Sequence, residues 1–341
     1  MKCGIVGLPN VGKSTFFNFI SNSKARSANF PFCTIEPNYG YTIVPDTRLI
    51  NLKMLINSIK IIPSEIQLVD IAGLIEGSHE GNGLGNKFLS NIRETNVIIH
   101  IIRCFKDIKI IHVENNINPI RDKEIVDIEL QLKDLETIEN KINRLLKINK
   151  KLYKQDMLDT LNKIHVFLKQ GKNIRMCPLT ENEIDYIQDL HLLTLKPVIY
   201  VANTNQKHED YNISSLQELT EKEKAPFFIL SLDEKKKYLY KSKIGEIINM
   251  VYKLFNLKCF FTIGKNEIRS WSIPNNWTSY LASSKIHTDL KKGFICAEVI
   301  HYNDFIKYKS EEKVKEAGKK LVVGKNYLIK DGDIIKFKFN K

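Results

Sequence analysis

The sequence lacks several patterns that would place it in a specialised class of proteins. No stretch reaches the roughly 18 uninterrupted apolar residues of a membrane span, and the first residues do not read as a secretory signal. The six cysteines form no C-x-x-C pair and the eight histidines no H-E-x-x-H spacing, which argues against zinc ribbons, dithiol redox motifs and metal sites of that kind. We therefore expect a cytoplasmic protein with reduced thiols and no membrane partner.

Basic residues are in excess, with 52 lysines and arginines against 39 acidic residues and a net charge of +13. Such a charge favours an anionic partner, nucleic acid above all. However, lysine, isoleucine and asparagine are abundant together, as AT-biased coding would produce, and solvated surface lysines would explain the charge without any partner. Composition alone leaves both interpretations open.

Apolar segments that alternate with helical ones organise the N-terminal part of the chain. Buried strands are predicted at 2–6, 66–71, 96–102 and 197–202, and a helix is predicted to begin near Thr15. The strand at 96–102 is almost continuously apolar, as parallel strands covered on both faces are. This alternation predicts a doubly wound, mostly parallel α/β sheet.

Two further regions have a different pattern. Residues 124–193 are helical in periodicity and predict an inserted helical hairpin with a basic tip at 147–154, although ordinary crossover helices would also fit. Beyond Cys259, short strands and a Lys-Asp-Gly-Asp turn at 330–333 predict a small β-rich domain. Over residues 259–341, 16 lysines and arginines against 9 acidic residues give a net charge of +7.

The 341 residues suggest two or three domains. We expect a nucleotide-binding domain at 1–123 and 196–257, a helical, coiled-coil-like insertion at 124–195, and a C-terminal domain at 258–341.

Residues 7–14 read Gly-Leu-Pro-Asn-Val-Gly-Lys-Ser and match the P-loop pattern G-x-x-x-x-G-K-[ST] between an apolar strand and a helix. The glycines let successive backbone N–H groups face phosphates, and the helix adds the positive end of its dipole. Lys13 is predicted to neutralise the β- and γ-phosphates and Ser14 to ligate Mg²⁺. The motif therefore predicts a site for a nucleoside triphosphate with magnesium.

Residues 70–73 read Asp-Ile-Ala-Gly at the end of a predicted strand and fit the second half of such a site. Asp70 is predicted to hold magnesium through water, and Gly73 to donate its N–H to the γ-phosphate. Between the two motifs, Thr34 is the candidate for a switch threonine that closes on magnesium when the γ-phosphate is present. An ordinary loop threonine is the alternative.

The base-reading site departs from the usual guanine pattern N-K-x-D, because residues 203–206 read Asn-Thr-Asn-Gln. Gln206 is neutral and has a single acceptor oxygen, so the loss of an aspartate's charge-assisted bonds should cost about one to a few kcal/mol of guanine preference. Gln206 suits adenine or no strong choice.

The catalytic side of the site departs from common GTPases at Leu74, which stands where many of them place the glutamine that orients the attacking water. An aliphatic side chain cannot do this, so hydrolysis should be slow or use another group. The side-chain oxygen of Asn10 is expected near the bridging phosphates, where it could hold a monovalent cation such as K⁺. Equal turnover in potassium and in sodium would contradict that role.

Taken together, these residues resemble the YchF family, the Obg-like ATPases of the translation-factor-related P-loop class, over essentially the whole chain. Residues 2–15 are similar to the family's P-loop and residues 29–38 to its switch I. Its switch II is matched at 70–75, 83–86 and 92–95, and its C-terminal TGS domain at 286–295 and 330–333.

The resemblance implies a P-loop G domain, an inserted helical hairpin and a β-grasp TGS domain. It also implies a magnesium-dependent ATPase that favours ATP over GTP, has Leu74 in place of a catalytic glutamine, and associates with the ribosome. By position, phosphates would be bound by Asn10, Val11, Gly12, Lys13, Ser14 and Thr15, magnesium by Ser14 and Thr34, and the base by Asn203. Gln206 departs from the family's N-x-x-E, and Ser231 begins a candidate last base-contacting loop.

Three hypotheses about function follow. The leading one is a monomeric, ribosome-associated ATPase switch, whose TGS and hairpin surfaces touch ribosomal RNA or protein of the large subunit or whole ribosome (50S or 70S). The second is a GTPase of the same architecture. The third is a non-hydrolysing RNA- or ribosome-binding module that uses nucleotide only to set its shape.

Overall fold

The computed structural model describes most of the chain. For residues 84–87 it describes the backbone and not the side chains. The described ranges are 1–21, 37–71, 73, 77, 84–107, 109–114, 116–147, 155–205, 212–232 and 240–340. The strands are β1 Lys2–Val6, β2 Asn38–Ile43, β3 Lys60–Ile62, β4 Glu65–Asp70, β5 Val97–Cys104, β6 Val198–Thr204, β7 Phe227–Leu230, β8 Leu257–Ile263, β9 Glu267–Pro274, β10 Phe294–Ile300, β11 Leu321–Val323 and β12 Asp333–Phe339. The helices are α1 Lys13–Ile20, α2 Thr47–Ile56, α3 Leu84–Arg93, α4 Pro119–Lys147, α5 Gln155–Lys169, α6 Glu181–Ile187, α7 Ile213–Lys222, α8 Lys241–Leu254, α9 Ser279–Ile286, α10 Thr288–Lys292, α11 Tyr302–Tyr308 and α12 Glu311–Glu316.

The first sheet has the strand order β2-β4-β1-β5-β6-β7. Strand β1 pairs in parallel with β4 and β5, and β6 pairs in parallel with β5 and β7. All eight residues of β5 are buried, as its almost continuously apolar sequence predicts. The predicted parallel α/β sheet is confirmed. Because the carboxyl ends of parallel strands meet at one edge of the sheet, the residues that follow β1, β4 and β6 are brought to the same edge.

Between β5 and β6 the described residues form the helices α4, α5 and α6, joined by loops and turns and without a strand, as predicted for the insertion. The long helix α4 and the helix α5 share a core of buried side chains, whose members include Ile138, Leu145, Leu161, Ile164 and Leu168. Asp134 of α4 fastens the return of the chain, since its carboxylate accepts hydrogen bonds from the backbone N–H groups of Leu193 (2.8 Å) and Thr194 (2.7 Å). Of the predicted basic tip at 147–154, Lys147 ends α4, and residues 148–154 lie outside the described residues.

The second sheet has the order β11-β10-β12-β8-β9-β3 and mixes parallel with antiparallel pairs. Neighbouring residues of β8 point to opposite faces, so Phe260 belongs to one apolar core and Phe261 to another. The predicted β-rich C-terminal region therefore has a core on each face of its sheet.

The chain forms two compact units. One consists of residues 1–42 and 67–247, and the other of residues 43–66 and 248–341. Here the structure differs from the predicted boundaries, which assigned 43–66 to the nucleotide-binding domain. The physical reason is packing: Leu49 and Leu52 of α2 are buried in the same core as Phe261. Arg48 adds an ion pair of 2.7 Å to Asp331. Local sequence patterns do not report contacts between residues so far apart in the chain.

Among the helices in the described ranges, none combines the length and the apolar character that crossing a bilayer requires. Five cysteines lie in those ranges and all are free thiols. Burial raises the pKa values of Cys3, Cys104 and Cys259, so these thiols are held protonated.

Candidate nucleotide-binding site

At two positions of the loop between β1 and α1, the backbone has a conformation that only glycine adopts easily. Gly7 has a φ of 149° and Gly12 a φ of 102°, and L-residues with side chains rarely adopt such angles. A Cβ atom on Gly7 would lie 2.4 Å from the carbonyl oxygen of Ile101, and one on Gly12 would lie 2.6 Å from Nδ2 of Asn203. The two glycines thus let the loop pass close to its neighbours immediately before α1, whose N-terminal end can face an anion.

Lys13 begins α1 and is 7% exposed. Its ammonium group donates hydrogen bonds to the carbonyl oxygens of Gly7 (3.1 Å) and Leu8 (2.7 Å). Burial lowers the pKa of Lys13 to about 8, although the nearby Asp70 carboxylate acts in the opposite direction. The loop therefore curls around a desolvated positive charge, which an anionic phosphate would stabilise.

Ser14, in the first turn of α1, meets Asp70, the last residue of β4. The Ser14 hydroxyl donates to Oδ2 of Asp70 at 2.7 Å. The other oxygen, Oδ1, is buried and accepts no hydrogen bond from any part of the chain that the structure describes. Burial raises the pKa of Asp70, and the Ser14 hydroxyl and Lys13 ammonium oppose that rise. A hydroxyl beside a carboxylate with a spare buried oxygen fits the hard oxygen ligands and bound waters that Mg²⁺ prefers.

Gly73 lies directly against the P-loop. A Cβ atom at this position would be 2.7 Å from the backbone nitrogen of Pro9 and 2.9 Å from its Cα. The residue predicted to donate its N–H to the γ-phosphate is therefore beside the loop predicted to hold the phosphates. The sequence did not indicate that Pro9 would be its neighbour.

Asn203 is buried and links two segments of the site. Its Nδ2 donates to the carbonyl oxygen of Val11 at 2.9 Å, and its Oδ1 accepts from the backbone N–H of Leu232 at 3.3 Å. The adjoining Ser231 is buried as well. The side chain predicted to contact the base thus uses both its polar atoms to join the P-loop to the segment after β7, and the base contacts of Asn203 and Ser231 stay predictions.

Asn10 has a φ of 61°, and its Nδ2 donates to the carbonyl oxygen of Ile111 at 3.0 Å. This contact brings the loop after β5 next to the P-loop, a neighbour that no side-chain pattern predicts because every residue has a backbone carbonyl. Arg103, which is 1% exposed, donates to the carbonyl oxygens of Phe105 (3.2 Å) and Ile110 (3.1 Å) and so shapes this loop.

His112 fixes the far end of the same loop. Its Nδ1 accepts the backbone N–H of Glu114 at 3.1 Å, so Nε2 carries the proton and faces Oδ2 of Asp122 at 2.8 Å. Both side chains of this pair are buried. The loop that contacts Asn10 is thereby tied to the first turn of α4.

Three predicted site residues, Thr34, Leu74 and Gln206, lie outside the described residues. The structure brings together Lys13, Ser14, Asp70 and Gly73, and Thr15 lies in the first turn of α1 beside them. Their assigned roles remain predictions.

Comparisons with known proteins agree with this geometry. A family profile described as "50S ribosome-binding GTPase" matches residues 2–163, and a YchF C-terminal profile, described as a protein of unknown function (DUF933), matches residues 257–340. The ribosome-binding ATPase YchF of Buchnera aphidicola subsp. Schizaphis graminum is 46% identical over an alignment of 359 positions that covers 99% of each chain.

The chain belongs to the YchF family. The YchF protein of Escherichia coli O157:H7, also named a ribosome-binding ATPase, is 42% identical and again covers 99% of both chains. The solved structure of the Schizosaccharomyces pombe YchF GTPase superposes with a TM-score of 0.83 at 33% identity, over 99% of this chain and 97% of that one. The predicted family and fold are confirmed, and the protein is a P-loop nucleoside triphosphatase with the YchF architecture.

Proposed function

We propose that this YchF protein is a magnesium-dependent ATPase that prefers ATP to GTP and acts as a nucleotide switch on the ribosome. The observation that carries the proposal is the convergence of Lys13, Ser14, Asp70 and Gly73 on one loop. The proposal also rests on the names of the relatives, which are ribosome-binding ATPases. The rival module that binds nucleotide without hydrolysis is set aside, because the relatives are named ATPases and the matching solved structure is titled a GTPase.

Magnesium would be held by Ser14, with Asp70 acting through water and Thr34 as a further ligand. When bound, the ion would neutralise charge on the β- and γ-phosphate oxygens. The spare buried oxygen of Asp70 supports this assignment. The side-chain Nδ2 of Asn10 donates a hydrogen bond to the carbonyl oxygen of Ile111. The side-chain oxygen of Asn10 is the atom that we propose faces K⁺.

The choice of base is the first point to test, since the names of the relatives differ: the curated relatives are called ATPases, and the fission-yeast structure is titled a GTPase. We expect ATP to displace a fluorescent ATP analogue at lower concentration than GTP does, because Gln206 lacks the charge that strengthens hydrogen bonds to guanine. Competition titrations of both nucleotides against one analogue measure this directly. Binding of GTP tenfold tighter than ATP would favour the rival GTPase.

A ribosomal partner is supported by charge. The basic residues Arg144 and Lys147 are exposed at the end of α4, and in the C-terminal domain Lys291 and Lys325 lie 5.4 Å and 5.3 Å from the ring centre of Tyr280. Tyr280 is partly buried, and lysines clustered beside a partly exposed aromatic ring are consistent with a surface that binds RNA. We propose that the helical insertion at 124–195 and the TGS domain at 258–341 supply the contacts of a monomeric, cytoplasmic protein.

Sedimentation with purified ribosomes in ATP, ADP and no nucleotide tests this partner. We expect the protein to pellet with ribosomes at low salt, in an amount that depends on the nucleotide, and to dissociate as salt rises. Replacing both Arg144 and Lys147 with glutamate should weaken the association, whereas Lys222→Glu, an exposed change on α7, serves as the charge control. Absence of the protein from the pellet under all three nucleotide conditions would contradict the ribosomal role.

A further inference from the structure

The backbone shortly after Gly73 is bound to the helical insertion. The N–H of Gly77 donates to Oε1 of Glu129 at 2.6 Å. Glu129 lies on α4 and is only 2% exposed. A buried carboxylate that accepts a backbone N–H forms a charge-assisted hydrogen bond, which is shorter and stronger than a neutral one.

A second contact binds the end of α3 to the same helix. The guanidinium of Arg93 donates to the hydroxyl oxygen of Thr137 at 2.9 Å, and that hydroxyl donates to the carbonyl oxygen of Lys133. The ammonium of Lys196 donates to the carbonyl oxygen of Arg93 at 3.0 Å. Thr137 follows Glu129 by roughly two helical turns, or about 12 Å along α4.

Short chain length makes the first contact consequential. Gly73 is placed by Pro9 of the P-loop, and Gly77 is placed by Glu129 of α4. The four residue steps from Gly73 to Gly77 can span at most about 14 Å when the chain is fully extended. A displacement of Gly73 toward or away from a γ-phosphate must therefore be accommodated in one of three ways. Gly77 shifts relative to α4, the connection between the two glycines bends, or the hydrogen bond between Gly77 and Glu129 breaks.

We propose that Glu129 is a positioning residue for nucleotide hydrolysis, and that through Gly77 it couples the phosphate site to helix α4 of the insertion. The carboxylate sets where the Gly77 amide lies, and thereby restricts where Gly73 meets the phosphates. Because coupling between two sites is reciprocal, the bound nucleotide in turn sets how tightly α4 is held. The inference rests on the triphosphatase activity and deepens the proposed switch, since it identifies the insertion as the element that responds to the nucleotide.

The test compares Glu129→Ala, which removes the acceptor, with Glu129→Gln, which keeps a neutral one. Glu124→Ala is the matched control, because Glu124 is an exposed glutamate on the same helix. We expect Glu129→Ala to lower kcat about tenfold, the order expected for losing a hydrogen bond to a charged group, with KM and ADP affinity within about twofold of wild type. The kcat of Glu129→Gln should lie between those of wild type and Glu129→Ala, and the kcat of Glu124→Ala should equal that of wild type.

Amide hydrogen exchange supplies the readout that a purely structural role would not move. In the wild type, exchange across α4 should differ between a non-hydrolysable triphosphate analogue and ADP, and Glu129→Ala should remove most of that difference. Thr137→Val, which takes away the acceptor for Arg93, should reduce it in part. Each experiment uses whichever triphosphate the wild type hydrolyses faster, so a wrong assignment of ATP preference or of the ribosomal partner leaves this test intact.

Three results would overturn the proposal. The first is wild-type kcat together with an unchanged nucleotide-dependent exchange difference in Glu129→Ala. The second is a parallel loss of kcat, ADP affinity and thermal stability, which would show that Glu129 only holds the fold together. If Glu129→Ala does not fold, Glu129→Gln is the variant that tests the proposal. The third contradicting result would then be a folded Glu129→Gln protein with the kcat and the nucleotide-dependent exchange difference of wild type.

Discussion

Replacement of Lys13 with alanine is expected to lower triphosphate turnover by at least about a hundredfold, the scale seen when one preorganised group that faces transition-state charge is removed. The Lys13 ammonium is buried within the P-loop and bound to the carbonyl oxygens of Gly7 and Leu8. In this desolvated position its charge acts on the phosphates with little screening by water. Phosphate release by the purified variant measures the loss, and Lys222→Ala, which changes an exposed lysine of α7, should match wild type.

Stability distinguishes this outcome from simple unfolding. Burial lowers the pKa of Lys13 from its ordinary value of 10.5 to about 8, so the charged form is disfavoured in the folded protein without an anion. Below pH 8 the group is charged in both states, and its burial then opposes folding. Lys13→Ala should therefore keep a thermal midpoint near that of wild type at pH 7. Turnover equal to wild type would show that the measured activity does not come from this site.

The parts of the site that the sequence could predict are those whose residues are close in the chain or follow a strand end. The P-loop is eight consecutive residues between a strand and a helix, so its shape and the positions of Lys13 and Ser14 follow from local rules. Asp70 could be added because it ends an apolar strand, and parallel strands bring their carboxyl ends to one edge. The hydrogen bond of 2.7 Å between Ser14 and Asp70 is the direct consequence.

The parts that could not be predicted depend on long-range contacts and on backbone groups. Asn203 binds the carbonyl oxygen of Val11, and Asn10 binds that of Ile111, but every residue offers such a carbonyl and no pattern distinguishes these two. Glu129 is one of many polar residues in a helical segment, and only its contact with Gly77 distinguishes it from the others. Likewise, the apolar residues of α2 predict that the helix packs, but not that it packs in the core of the C-terminal unit.

Gly73→Ala is the second change for which we expect a large effect, about a hundredfold loss of turnover. The added Cβ would lie 2.7 Å from the nitrogen and 2.9 Å from the Cα of Pro9, distances that real Cβ contacts do not show. Both atoms belong to the P-loop backbone, which cannot yield as a flexible side chain could. The alanine must therefore displace residue 73, although its N–H is retained. Steady-state kinetics with equilibrium binding of ADP and of a non-hydrolysable triphosphate analogue measures the outcome.

The pattern of losses in Gly73→Ala identifies what residue 73 does. If it donates to the γ-phosphate, kcat and affinity for the triphosphate analogue should fall while ADP affinity stays within about threefold, because ADP lacks that phosphate. Gly324→Ala provides the control, since its Cβ would meet no atom within 4 Å. Equal loss of ADP and triphosphate binding would instead mean that the P-loop itself had moved. Wild-type turnover would mean that the close approach of Gly73 to Pro9 is not kept in the hydrolysing state, and the proposed coupling through Gly77 would then lose its fixed point at the phosphate site.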